Sequence, residues 1–268
     1  METYVTLPKW LDDYIFGELG AKYCRSNADM TVIDWDKNDV LNYLGTYFPR
    51  SYAEACCIMG DYLYGSKSTL LEKECLSILD FGCGTGGEIV GLISQLKKYN
   101  EKLKSVSVYA LDGNFHALKL CEAVLKKFSE QSSINVKVKP IPVVVQDLYD
   151  MSVIDSVLSA DFDMVVSFKA ICEFVTKERF EKDNAYGQVV KTLMPKLKQD
   201  GILLLVDVTS YNDVSNEWLP RMMDAGIHAV PCRLIHQNEG YSQPIHITHS
   251  HKINDVSKVA WKMITPKN

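Results

Sequence analysis

No stretch of this sequence is apolar for long enough to cross a bilayer. A spanning helix needs about 20 such residues, and the longest run, Gly201–Val206, suits only a buried strand. The first residues, Met1-Glu2-Thr3-Tyr4-Val5-Thr6-Leu7-Pro8, lack a basic stretch leading into an apolar one, so no secretory leader is read there and a cytoplasmic chain is expected. Cys-x-x-Cys pairs are missing as well. Two of the eight cysteines are adjacent, Cys56 and Cys57, a spacing that suits neither a zinc knuckle nor a disulfide framework, and all eight are read as reduced core thiols. Positive charge is not in excess: 29 Lys+Arg against 34 Asp+Glu leave a net charge of −5. That balance argues against a broad phosphate-binding surface but leaves room for a local basic groove.

What is there changes character near residue 70. Before it, the pattern is helical: Trp10, Leu11, Tyr14, Ile15 and Leu19 recur at helical spacing, and Asp36–Tyr47 reads as a second helix. Pro49 is expected to break that helix, and Ser51 with Glu54 reads as a capping box opening a third that runs to about Tyr64. Beyond residue 70, apolar strands at Leu76–Phe81, Val106–Leu111, Ile141–Val145, Phe162–Phe168 and Gly201–Val208 alternate with helical stretches near Glu88–Lys98, Phe115–Phe128, Met151–Leu158 and Phe180–Leu197. Such alternation implies a parallel sheet covered on both faces. The tail, with strand candidates His228–His236 and Val256–Ile264, fits an antiparallel pair closing one sheet edge. The expected organisation is a helical accessory segment over residues 1–70 and an α/β domain over 71–268.

The densest motif is Leu79-Asp80-Phe81-Gly82-Cys83-Gly84-Thr85-Gly86-Gly87-Glu88, where the first strand gives way to a helix. Glycines there let a ligand lie against bare main chain, in the crevice at the carboxyl ends of the strands. Gly82, Gly84 and Gly87 also satisfy the dinucleotide fingerprint, so the glycines alone leave two readings open. Asp80 tips the balance. A carboxylate beside the loop opposes a diphosphate and attracts a ligand bearing an ammonium and a sulfonium, as S-adenosylmethionine does. Asp-x-Gly-x-Gly-x-Gly after a strand resembles the first motif of the class I S-adenosylmethionine-dependent methyltransferases.

The resemblance covers about residues 70–268 and implies a Rossmann-like, mostly parallel seven-stranded sheet with an antiparallel C-terminal edge, beneath an N-terminal helical lid. It implies S-adenosylmethionine as cofactor and S-adenosylhomocysteine as product. By the same resemblance, Asp80, Gly82, Cys83, Gly84 and Gly86 would cradle the cofactor. Asp112, with Gly113 beside it, would take the ribose hydroxyls, as a carboxylate accepting two hydrogen bonds can. Gln146-Asp147-Leu148 resembles the adenine-binding element, and Phe168 ends the fourth strand, where substrate-facing residues lie. Leu197–Asp207 resembles the fifth-strand signature, with Asp207 a strand-end charge.

Methyl transfer needs alignment and exclusion of water more than acid or base; a base matters where the acceptor must lose a proton. The candidates are Lys169, Glu173 and His249. Lys169 and Glu173, four apart, would also suit a solvated ion pair. His249 and His251 share a strand face, but no carboxylate or cysteine is near in sequence and no metal is expected. The fourth strand carries no Asp/Asn-Pro-Pro-Tyr/Phe, the apparatus of base amino methylation, and no Pro-Cys is expected to offer the nucleophile of cytosine C5 methylation. Tyr47-Phe48-Pro49-Arg50-Ser51-Tyr52-Ala53-Glu54 is similar to the Arg-x-Pro-x-Thr/Ser-Tyr-Ala element of the small-ribosomal-subunit methyltransferase-like family, with the arginine displaced to the far side of the proline. Arg50 is read as a partner for the cofactor carboxylate or an anionic substrate, and Tyr14, Tyr43, Tyr47 and Tyr52 as pocket walls. A small-molecule acceptor is slightly favoured over RNA, for which the lysines at 97, 98, 102, 104, 126 and 127 speak. A non-catalytic ribosome-assembly factor and an NAD(P)-dependent oxidoreductase are the other readings. No feature sets an oligomeric state.

Overall fold

The computed structural model describes residues 3–24, 35–147, 151–158, 161–175 and 184–267. The expected cofactor residue Leu148 and the expected helix start at Phe180 lie outside them. Among the described residues, no helix is long and apolar enough to cross a membrane.

The chain opens with β1 (Tyr4–Thr6), α1 (Lys9–Asp12) and a π-helical turn, Asp13–Glu18, followed by α2 (Lys37–Leu63). Then come β2 (Cys75–Phe81), α3 (Gly87–Tyr99), β3 (Ser105–Asp112), α4 (Phe115–Gln131), β4 (Asn135–Pro142), α5 (Ser152–Val157), β5 (Phe162–Phe168), α6 (Ile171–Val175), α7 (Ala185–Leu193) and β6 (Leu197–Val208). The tail holds a hairpin, β7 (Tyr211–Asn212) and β8 (Glu217–Trp218), then α8 (Leu219–His228), β9 (Cys232–Asn238), β10 (Ile245–His249), β11 (Lys252–Ser257) and β12 (Val259–Pro266).

Seven strands form the Rossmann-like sheet in the order β4-β3-β2-β5-β6-β12-β9. Only β12 is reversed, antiparallel to β6 on one side and β9 on the other. Chain order turns back between β2 and β5, so a crevice opens there at the carboxyl ends of the strands. One sheet face packs on α2, α3 and α4, the other on α5, α7 and α8. The expected antiparallel edge is present, but between its two strands the chain builds a second sheet, β1-β10-β11. There β1 pairs parallel with β10, a strand in a segment read as purely helical. Leu7, Leu11, Leu44 and Phe48 share one apolar core with Ile89, Val106 and Trp261.

Three expectations are corrected. Pro49 does not end a helix: α2 runs through it without interruption. An interior proline costs about 3 kcal/mol, and burial offsets it, because Phe48, Ala53, Ala55, Ile58 and Met59 are at most 1% exposed and a fully buried large apolar side chain contributes about 1.5–3 kcal/mol. The capping box lies at the true start instead, where Asp36 accepts from Asn38 N and Asp39 N while Asp39 accepts from Asp36 N. Second, the third parallel strand is Asn135–Pro142, not Ile141–Val145. Its lysines and prolines masked it, and they are tolerated because β4 is an edge strand. Third, α8 was unforeseen; Pro220 in its first turn supports the start.

Candidate active site

The parallel ladder β2–β3 sets Asp80 opposite Ala110 and Phe81 opposite Leu111, so both strands end at one level. The glycine loop leaves β2 there, its turn closed by Gly82 N and Cys83 N donating to Leu111 O at 2.9 and 3.0 Å. Gly84 stands at φ +47°, and a Cβ on it would lie 3.1 Å from the Tyr43 ring. Bare backbone thus lies between the Tyr43 ring and Asp112. Gly87, the glycine that completes the dinucleotide fingerprint, serves packing: a Cβ there would lie 2.5 Å from Phe48 O, so α3 meets the backbone of α2.

Asp112 ends β3 with its carboxylate taking backbone donors, Gly84 N at 2.8 Å on one oxygen and Asn114 N at 2.8 Å on the other, with Gly113 N adding to them. Burial pushes its pKa up, against those donors. A carboxylate accepts about four hydrogen bonds, which leaves room for a ligand hydroxyl. Asp112 stands on a cleft whose apolar walls are Phe81, Leu111, Val143, Val145 and Phe168, also lined by Lys169, Glu173 and Tyr43. The cleft thus combines an apolar slot with few polar groups, as small-ligand sites do.

Behind the loop lies a cluster of carboxyl groups. Asp80 is fully buried, Glu88 is 4% exposed and Glu54, on α2, is fully buried. Among the described residues no backbone donor or cation serves either carboxylate oxygen of Asp80, whose polar neighbour is the Glu88 carboxyl. Burial, and then the neighbouring Glu88, hold the Asp80 carboxyl well above its ordinary range; burial pushes Glu88 up to about 7, with Lys169 opposing and Glu54 reinforcing. Lys169 is the positive charge in contact with the group. Its Nζ lies 3.0 Å from Glu54 Oε1 and 2.8 Å from Oε2, and Ser257 Oγ donates to the same carboxylate at 2.5 Å. Lys169 holds this pair from a backbone at φ +55°, a conformation costing about 1–2 kcal/mol for a side chain other than glycine. The solvated Lys169–Glu173 pair expected from spacing is therefore replaced by a buried partner on α2, while Glu173 faces the cleft.

Of the other expected residues, Gly82, Gly113 and Phe168 line the cleft. Cys83 is 1% exposed, with its Sγ 3.7 Å from Gly84 O, so it offers backbone alone. Asp147 is exposed, just past the wall formed by Val143 and Val145. Several residues are not brought to the cleft. Arg50 is mid-helix, not at a helix start, and its guanidinium is taken by Asp255 through two parallel bonds of 2.7 and 2.9 Å. Tyr14 donates to Ala123 O, and Tyr52 is buried in the core. Tyr47 stacks on Tyr43 at 5.0 Å, one layer back. His249 is buried on β10 against Phe16 and Tyr23, and His251 stacks on the same Phe16. Asp207 does not face water: 1% exposed, it accepts from Cys172 N and Tyr186 Oη and anchors α6. The Pro-Cys dipeptide the chain does contain, Pro231-Cys232, lies at the start of β9, at the sheet edge opposite the cleft.

Sequence reasoning missed Glu54 and the wall residues Val143 and Val145. A lone carboxylate inside the apolar window Tyr52–Met59, and the even spacing of the two valines, were the available signals.

No known family's sequence profile matches the chain, and no curated protein matches it. Among solved structures it is similar to the magnesium protoporphyrin IX methyltransferase of Synechocystis with bound S-adenosylmethionine, at 11% identity over 96% of this chain and 95% of that one, with a TM-score of 0.49. A methyltransferase dependent on the same cofactor, from Aquifex aeolicus, is 12% identical over 87% of this chain and all of its own, with a TM-score of 0.49. One from Methanosarcina mazei is 14% identical over 73% and 95%, with a TM-score of 0.42.

Proposed function

We propose that the chain is a class I S-adenosylmethionine-dependent methyltransferase acting on a small-molecule acceptor. The observation that carries this reading is the buried cluster behind the glycine loop: Asp80 lies against Glu88, Glu88 is influenced by Glu54 and Lys169, and among the described residues Lys169, paired with Glu54, is the cation that contacts the group. Such a cluster is short of positive charge. With Asp80 held protonated and the Glu88 pKa at about 7, it can ionise to answer a ligand that brings an ammonium and a sulfonium, but among the described residues it has no cation to offer a diphosphate, which speaks against a nicotinamide dinucleotide.

The chain's own groups divide the work. Asp112 would hold the ribose, Leu111, Val143 and Val145 the adenine, with Asp147 at the rim, and the carboxyl cluster the ammonium end. When bound, the cofactor supplies a methyl group already activated for displacement. The apolar walls exclude water and the glycine loop fixes the approach, which is the larger part of what such a transfer requires. Glu173, on the cleft, is the group able to accept a proton from an acceptor hydroxyl or amine. Lys169, bound at Nζ by Glu54, supports the site electrostatically instead.

The lysine-rich stretches bear on the acceptor. Lys97 and Lys98 close α3, Lys102 and Lys104 form the turn into β3, and Lys126 and Lys127 lie late in α4. All are therefore at the edge opposite the cleft, where they cannot deliver a phosphate backbone to it.

Calorimetry with S-adenosylhomocysteine tests the reading. Wild-type protein is expected to bind in the micromolar range and Asp112→Ala at least tenfold more weakly. NADH saturating the site instead would overturn it.

A further inference from the structure

The carboxyl-end side of the sheet carries a second feature that the proposed transfer does not use. β6 runs parallel to β5 with Val206 opposite Phe168, so β6 ends at Val208 two residues beyond β5 on the same side of the sheet, and the hairpin β7–β8 follows it. It presents Tyr211 and Trp218, 41% and 39% exposed, with ring centroids 5.4 Å apart and planes at 77°. A third ring arrives from another part of the chain. Gly240 packs so tightly on Val259 O and Thr209 that a Cβ would lie 2.0 Å from that oxygen. This close approach sets Tyr241, 42% exposed, against Trp218 at 6.0 Å and 86°.

Three large rings left in water, each nearly perpendicular to its neighbour, leave ring faces available. No Lys or Arg of the described residues sits over any of the three, although five other rings carry such a cation. The hairpin is held in this shape by its own bonds: Asn216 turns at φ +55° and accepts from Tyr211 Oη, and Asn212 accepts from Ser215 N at 2.8 Å.

The local charge decides what fits. Glu217 forms the second strand of the hairpin, Asp213 is in its turn and Glu239 lies two residues before Tyr241; Arg221, 3.7 Å from Glu217, is the positive charge beside them. Burial and then Glu239 hold the Tyr241 phenol above its ordinary value, with Arg221 opposing and Glu217 adding to it. The rim is acidic on balance. That disfavours a nucleotide, whose base would stack but whose phosphate would be repelled. Ring faces attract a cation, by about 0.5–1 kcal/mol at exposed sites, and a carboxylate rim reinforces them.

We propose that Tyr211, Trp218 and Tyr241 form a binding platform for an ammonium or guanidinium group, through which a cationic methyl acceptor is seated on the carboxyl-end side of the sheet. The proposal rests on the methyltransferase reading for its role, and the test separates the two.

Choline is titrated into ¹⁵N-labelled full-length protein while the indole signal of Trp218, assigned by its loss in Trp218→Phe, is followed. The neutral isostere 3,3-dimethylbutan-1-ol, adenosine monophosphate and an arginine-containing hexapeptide are titrated in parallel. Choline is expected to shift the Trp218 signal saturably in the millimolar range, and the neutral alcohol at least fivefold less. Tyr241→Ala should abolish the response while leaving S-adenosylhomocysteine affinity unchanged. A hexapeptide at least tenfold tighter than choline marks a basic peptide as the source of the cation; equal affinities mark a small amine. Equal shifts with choline and the alcohol, or a response to the nucleotide alone, overturn the platform. Labelled methyl transfer into lysate acceptors should fall at least fivefold in Trp218→Ala; unchanged transfer overturns its role in seating the acceptor. Failure of wild-type protein to bind S-adenosylhomocysteine refutes the methyltransferase reading and leaves the choline result standing.

Discussion

Replacing Glu88 by glutamine should stabilise the protein at alkaline pH and leave it unchanged in acid. Glu88 is 4% exposed, and burial raises its carboxyl from an ordinary 4.5 to about 7. Below pH 4.5 the group is protonated in both folded and unfolded chains and costs nothing. Between 4.5 and 7 the unfolded chain gives up the proton while the folded one keeps it, so each step upward favours unfolding; above 7 the cost is complete. At about 1.4 kcal/mol per pH unit, wild-type protein loses about 3 kcal/mol through this group. Glutamine has the shape of the protonated acid and nothing to ionise. It also removes the charge that helps hold Asp80 protonated, an effect of the same sign. Other titrating groups are common to both proteins and cancel in the difference. Melting curves at pH 4 and pH 8 should therefore show nearly coincident transitions at the lower pH. At the higher pH the variant should melt later by about 6 °C, taking about 2 °C per kcal/mol for a chain of this size. A shift equal at both values, or a wild type more stable than the variant at pH 8, would refute the buried-carboxyl account.

Two further outcomes follow from the same geometry. An ammonium arriving beside the carboxyl cluster lowers the proton affinity of Glu88, so S-adenosylhomocysteine binding at pH 7 should release a fraction of a proton; calorimetry in two buffers of different ionisation enthalpy reads it, and the release should vanish in Glu88→Gln. Arg50→Ala strands Asp255, 2% exposed, without its two bonds; removing one member of a buried pair costs about 3–5 kcal/mol, readable as a lower urea midpoint, and Arg50→Lys should restore only part of it because an ammonium cannot supply the parallel fork.

The sheet and the glycine loop were legible because their signals are local. Parallel strands buried on both faces read as apolar runs, and Gly82, Gly84 and Gly86 stand within five residues. The failures share a cause too: each depended on a partner far along the chain. Pro49 reads as a stop until the burial around it is known. The lysines and prolines of β4 read as loop until that strand is known to be an edge. Glu54 reads as half of a capping box because Lys169, 115 residues on, cannot be seen from its neighbourhood. Arg50 reads as a ligand group for the same reason, its partner being 205 residues away.

Those two long-range pairs explain why Tyr47–Glu54 looks like a motif although part of it never meets the cleft. Tyr43, Tyr47, Arg50 and Glu54 are spaced four, three and four apart, one stripe along a helix. At one end Tyr43 faces the glycine loop; at the other Arg50 and Glu54 hold Asp255 and Ser257 of β11. The stripe is thus a strut between the loop and the small sheet, and Lys169, just past β5, is clamped to its Glu54 end. Its charged half, Arg50 and Glu54, is buried and tolerates no partial loss, since either pair broken leaves an uncompensated charge in the interior. Its residues are therefore constrained as strictly as ligand contacts are, which is why a structural element presents itself in sequence as a binding one.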